Sequence, residues 1–131
     1  MRGASALQGL LTELPDRPVR VLAVWEPVLP TDKGPPTARV LSRLEDPRVE
    51  QYWDPGRVLS GRILAAAPRV PAFALFSGQL DAAWDLAAVY PPGVRWQGGV
   101  PTPVYCGNPV VGSLDSLRAH LAVAVALPSG P

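Results

Sequence analysis

Between Pro18 and Pro27 the chain reads V-R-V-L-A-V-W-E, an unbroken run of β-formers closed off by proline at both ends. Val19, Val21, Ala23 and Trp25 alternate with Arg20, Leu22, Val24 and Glu26. Apart from Arg20 near its start, both alternating sets are apolar up to the last residue. That pattern predicts a central strand covered by helices on each side. The loop that leaves such a strand is where a small α/β domain commonly places its chemistry. Here that loop, Glu26 to Gly34, holds no Cys, His or Ser, which narrows the chemistry it can perform.

The other segments arrange themselves around this strand. Leu7, Leu10, Leu11 and Leu14 fall at i, i+3, i+4 and i+7 and predict a helix docked on the core, with Ser5 as its cap and Pro15 and Pro18 as its exit. After the strand, Asp32 or Thr31 is placed to cap the next helix. Pro35 and Pro36 suit a first helical turn, and Val40, Leu41 and Leu44 give it a short buried stripe stopped by Asp46-Pro47. V-E-Q-Y-W, Val49 to Trp53, reads as a second strand. Asp54-Pro55-Gly56 reads as the start of a helix carrying Val58, Leu59, Ile63 and Leu64 to about Ala67. These connections are long enough for right-handed crossovers and a parallel pair. Pro68 to Asp81 is apolar, aromatic and too interrupted by proline for a long helix. It reads as a cover on the core or, alternatively, as an exposed contact patch. Trp84–Tyr90 reads as a strand closed by Pro91-Pro92-Gly93, with Val104–Val111 as its antiparallel neighbour. Leu114, Leu117, Leu121 and Ala124 mark a closing helix, capped by Ser113 and favoured by Asp115 in its first turn.

Composition excludes several function classes. At 131 residues, 47% of them hydrophobic, the chain fits a single domain with one core. Its net charge of +1 comes from basic residues interleaved with acids, so no stripe for nucleic acid or an anionic membrane is formed. No apolar run reaches the length of a membrane span, and no secretory leader is read at the start, so the expected location is cytoplasmic. The single Cys rules out an internal disulfide, a Cys-only zinc site and a C-x-x-C pair. Seventeen prolines lie between apolar segments and punctuate a compact α/β domain.

Few residues carry chemistry. Cys106 is flanked by Tyr105 and Gly107, with no cationic neighbour to stabilise a thiolate, and reads as a small buried hydrophobe. His120 lies on the closing helix at the margin of its apolar face, without a sequence neighbour that completes a nucleophile–base pair. Glu26 and Asp32 flank the loop after the central strand. They suit either acid–base or metal chemistry, or else a capping role for Asp32 and a solvated or Arg-paired Glu26. Four tryptophans and three tyrosines fall mostly at strand ends, where they fill the core edge or gather into an aromatic binding rim. Gly98-Gly99 has no helix at the right spacing for a phosphate loop.

Taken together, the element order resembles the thioredoxin-like superfamily. V-L-A-V-W ends in tryptophan where that family places the Trp before Cys-Gly-Pro-Cys. V-P-T-P-V-Y-C-G-N-P-V-V-G-S-L-D-S-L-R-A-H-L is similar to its Ile-Pro-Thr strand, turn, second strand, glycine and closing helix. The resemblance implies a three-layer α/β/α sandwich over residues 1–131. Its mixed sheet would have parallel central strands and a C-terminal antiparallel hairpin. The family's cis-proline would fall at Pro101, whose isomer stays open. At the redox positions stand Glu26, Pro27, Val28 and Leu29, so the resemblance is to a member of bacterial type without the dithiol. It implies a non-catalytic protein- or peptide-binding module with no cofactor and no metal. The contact surface would comprise Trp25, Glu26, Pro27, Asp32, Val100, Pro101 and Thr102, with Pro71–Leu80 as a second contact or homodimer face. The alternative is a single-cysteine thiol oxidoreductase or peroxidase-like enzyme using Cys106.

Overall fold

A computed structural model describes residues 2–78 and 81–124. In chain order the elements are α1 (Arg2–Glu13), β1 (Val21–Trp25), α2 (Ala38–Leu41), β2 (Val49–Trp53), α3 (Val58–Ala66), β3 (Ala87–Val89), β4 (Tyr105–Gly107) and α4 (Leu114–Ala124). Two 3-10 turns, Pro71–Phe76 and Val110–Gly112, complete them. The α/β expectation holds. The strands form two separate two-stranded ladders: β1 and β2 run parallel, β3 and β4 antiparallel. No helix among the described residues is long and apolar enough to cross a membrane.

The β3–β4 ladder lies between two apolar clusters. Val89 and, less deeply, Ala87 and Tyr105 pack with Leu10 of α1, Val110 and Leu117 of α4. On the opposite face Ala88 and Cys106 pack against Ile63, Ala66 and Ala67 at α3, with Phe73, Phe76 and Ala83. Alternation along the strands produces this division, since adjacent side chains point to opposite faces. Two glycines permit the close packing. A Cβ on Gly3 would stand 3.2 Å from Val110 Cβ, where α1 crosses the Val110–Gly112 turn. A Cβ on Gly107 would stand 2.7 Å from Ser113 Cβ.

The β1–β2 ladder departs from the expected central position. Val21, Ala23, Trp25, Val49, Gln51 and Trp53 form its half-buried face, while Leu22 (57% exposed), Val24, Glu50 and Tyr52 (48%) face solvent. Apolar composition on both faces of β1 therefore does not correspond to cover on both faces. The ladder is fastened by polar side chains. Arg48, just before β2, donates to the carbonyls of Leu11 (2.7 Å), Leu14 (2.6 Å) and Arg17 (3.1 Å) at the end of α1, and pairs with Asp46 at 2.7 Å. Gln8 of α1 accepts from the N–H groups of Glu45 and Asp46.

Several boundaries differ from the sequence reading. α1 begins at Arg2, so Ser5 lies inside it. Pro35 and Pro36 precede α2, which starts at Ala38. Trp84–Tyr90 contributes only Ala87–Val89, because Asp85 adopts φ 53° and Asn108 Nδ2 donates to the carbonyls of Trp84 and Asp85. Of Val104–Val111, Tyr105–Gly107 is strand and Val110–Gly112 a 3-10 turn. Ser113 holds the N-cap position of α4, its carbonyl accepting from the Leu117 N–H at 2.8 Å, but its hydroxyl donates back to the Pro109 carbonyl at 2.8 Å instead of bonding to the helix. The cis peptide among the described residues is Asn108–Pro109, not the bond before Pro101. In the segment Pro71–Leu80, Phe73 and Phe76 turn inward as core cover and Leu75 stays exposed. Its last residues, Gln79 and Leu80, lie outside the described residues.

Candidate functional site

The C-terminal ends of β1 and β2 stand side by side, because the register pairs Trp25 with Trp53. Each strand is followed at once by a carboxylate, Glu26 after β1 and Asp54 after β2. Both turn toward the start of α3. Asp54 accepts from the Leu59 N–H at 2.9 Å. Glu26 accepts from the Ser60 N–H at 3.0 Å and from the Ser60 hydroxyl. The hydroxyl in turn accepts from the Ala83 N–H at 3.1 Å, and Ser60 is almost fully buried. The first N–H groups of a helix lack intrahelical acceptors and carry the positive end of its dipole, so two carboxylates are favoured there. The Leu59 N–H is the main cause holding the Asp54 carboxyl below its ordinary value.

Glu26, half-buried, is thus bonded to Ser60 and not to an arginine, and it does not present a free carboxylate to the loop. It fastens β1 to α3 and, through Ser60, to the segment before β3. Asp32 accepts from the N–H groups of Val28 (2.9 Å) and Leu29 (2.7 Å), closing its own loop instead of capping α2. With both carboxylates engaged on backbone or Ser60 donors, the acid–base pair considered from sequence is not assembled. No group of three or more His, Cys, Asp or Glu side chains suited to a metal occurs among the described residues.

Beside the locked carboxylates lies a cleft of about 130 Å³ lined by Trp25, Pro35, Pro36, Leu41, Gln51, Tyr52 and Trp53. Apart from the Trp53 indole, its polar side chains are already committed. Trp25 donates its indole N–H to Gln51 Oε1 at 2.9 Å, and Gln51 Nε2 donates to the carbonyls of Leu41 and Leu44. The Tyr52 hydroxyl donates to Glu50, which also pairs with Arg20 at 2.6 Å. Arg20 and Tyr52 together hold the Glu50 carboxyl down at about 2. What the cleft offers a visitor is therefore mainly apolar and aromatic surface.

Of the residues expected to form the contact surface, Trp25 lines this cleft. Pro27 is half-buried in the loop beside it. Val100 packs against the Ile63–Phe73 cluster, Pro101 is half-buried and Thr102 exposed, and none of the three lines the cleft. Sequence reading missed Pro35, Pro36, Leu41, Gln51, Tyr52 and Trp53 as one group. The available signal was the pair of tryptophans closing two adjacent β-runs. Trp84 and Trp96 stand elsewhere. Trp84 is exposed ahead of β3, and Trp96 meets Tyr90 edge-on at 6.3 Å.

Cys106 sits in β4, half-buried against the α3 cluster, and burial pushes its thiol up to about 11. His120 stacks on Tyr105 with ring centroids 4.6 Å apart and directs Nδ1 at the Ser116 carbonyl. Tyr105 and Cys106 are neighbours on one strand and pack on opposite faces of the ladder. The stacked histidine therefore lies across the sheet from the thiol. The neutral-thiol environment is the reverse of what a reactive cysteine requires.

No family model matches the chain, and neither the curated proteins nor the solved structures yield a match.

Proposed function

We propose that this chain is a non-catalytic thioredoxin-like module that binds a protein or peptide partner. In this reading it is an α/β/α sandwich whose redox position has been given over to helix capping. One observation carries the proposal. At the ends of two parallel strands, Trp25 and Trp53 with Pro35, Pro36 and Leu41 wall a mainly apolar cleft, and the adjacent carboxylates are committed to fastening α3. Aromatic-lined clefts with few free polar groups recognise apolar side chains, and tryptophan is among the residues that dominate binding energy at such sites. The half-buried, protonated Cys106 gives the alternative thiol enzyme little support.

The test is titration with peptides selected from a random library, followed by tryptophan fluorescence. Trp53→Ala is expected to weaken binding by more than about tenfold, the effect of losing an aromatic anchor. Cys106→Ser is expected to leave binding unchanged. Peroxide- or glutathione-linked turnover that disappears in Cys106→Ser would overturn the proposal.

A further inference from the structure

Gln51, Tyr52 and Trp53 are consecutive residues of β2, yet all three line one cleft. Neighbouring side chains of a strand point to opposite faces, so three in a row border a single space where that space runs along the strand's edge. The ladder's phase identifies the backbone groups that face this edge. At one end the Val21 N–H donates to the Arg48 carbonyl at 2.9 Å, and at the other the Asp54 N–H donates to the Trp25 carbonyl at 2.8 Å. In a parallel ladder with the register Val21↔Val49 to Trp25↔Trp53, these bonds turn the peptide groups of Arg48, Glu50, Tyr52 and Asp54 toward β1. Those of Gln51 and Trp53 then point away from β1. Among the described residues no hydrogen bond reaches the backbone N–H or C=O of Gln51 or Trp53, and β2 has no second neighbouring strand.

The edge thus presents donors and acceptors in strand phase between apolar walls, while the Trp25 and Gln51 side chains are bonded to each other. A docked helix satisfies its own backbone and would leave this row unpaired. An extended chain would pair it, and unpaired strand edges are the usual template for strand addition. We propose that β2 takes up an extended segment of a partner protein as an added strand, an inference that rests on the peptide-binding reading above. One apolar side chain of the segment would enter the cleft between Pro35–Pro36 and Trp53. Its two neighbours in sequence would point to the opposite face.

The experiment uses the full chain and the tightest dodecapeptide from a phage-displayed random library. The peptide is made in three forms: unmodified, N-methylated at one alternating set of residues, and N-methylated at the other set. Amide NMR of the protein should show the Gln51 and Trp53 resonances shifted and their exchange slowed on binding. One N-methylated form should lose about tenfold or more in affinity, as expected for removing one or two backbone hydrogen bonds, and the other should bind like the parent. If the peptide binds but those two amides are unmoved, or if both methylated forms bind like the parent, strand addition is overturned while the peptide-binding module stands. If the library yields no binder, both readings fall. If the free protein sediments as a dimer with both amides already protected, the edge is occupied by a second copy and the proposal is likewise overturned.

Discussion

β3–β4 has three residues on each strand and is packed on both faces, against α1 and α4 on one side and α3 with the Pro71–Phe76 turn on the other. β1–β2 has five on each strand, yet one of its faces is open and the other is only half-buried. The longer ladder is fastened through Arg48 and Gln8 to α1 and its neighbours, and through Glu26 and Asp54 to α3. The difference separates stability from availability. A ladder packed on both faces has little surface to offer, whereas one held by polar side chains at its ends can keep a face and an edge free.

The largest effect should therefore come from the core beside the short ladder. Phe73 is fully buried between α3 and β4. Phe73→Ala removes the ring and leaves a cavity, and the expected loss is about 3–5 kcal/mol in urea unfolding. A loss under about 1 kcal/mol would mean that burial at β3–β4 does not hold the fold, and the comparison would fail.

Second in size is the acid response of the long ladder. Hydrogen bonding from Arg48 holds the Asp46 carboxyl at about 2, below the roughly 3.9 of an unfolded aspartate. A depressed folded value means that the stabilisation is complete above about pH 4 and is lost as pH falls toward 2. The pair is mostly buried, and its share is roughly 1–2 kcal/mol. Asp46→Asn should be less stable at pH 7 and show a shallower decline between pH 4 and 2 than the parent. Equal acid slopes in the two proteins would show that the Asp46–Arg48 pair is not what fastens β2 to α1.

The same contrast explains what was legible beforehand. At their C-terminal ends β2 was readable to the residue and β1 to within one, because runs of β-formers there meet Glu26-Pro27 and Asp54-Pro55. α4 and the leucine face of α1 were readable from their periodicity. What failed depended on partners distant in sequence. Glu26 is 34 residues from the Ser60 that it binds, so its capping role has no local signature. Asp32 ahead of two prolines fits a helix cap and a closed turn equally well, and backbone geometry selects the turn. The apolar outer face of β1 predicted cover. A side-chain pattern records affinity for burial, not whether another element of the same chain supplies it.

The smallest effect lies at the alkaline end and belongs to the short ladder. Cys106 in β4 is half-buried and its thiol is pushed up to about 11; Tyr90, just past β3, is pushed up to about 12, in both cases chiefly by burial. A raised folded value means that the contribution is complete below the unfolded value, about 8.5 for Cys, and is lost as pH rises through 11. With the site half open to solvent, the thiol's share is about 1 kcal/mol or less. Its kinetic consequence is easier to read. At pH 8 the thiolate fraction should lie below that of an unfolded cysteine, and iodoacetamide should alkylate the native protein correspondingly slowly. The rate should climb between pH 9 and 11 instead of levelling near 8.5. A fast reaction at pH 7 with an early plateau would place Cys106 in an open, cation-stabilised site. It would then be β3–β4, and not the Trp25–Trp53 end, that carries the chemistry.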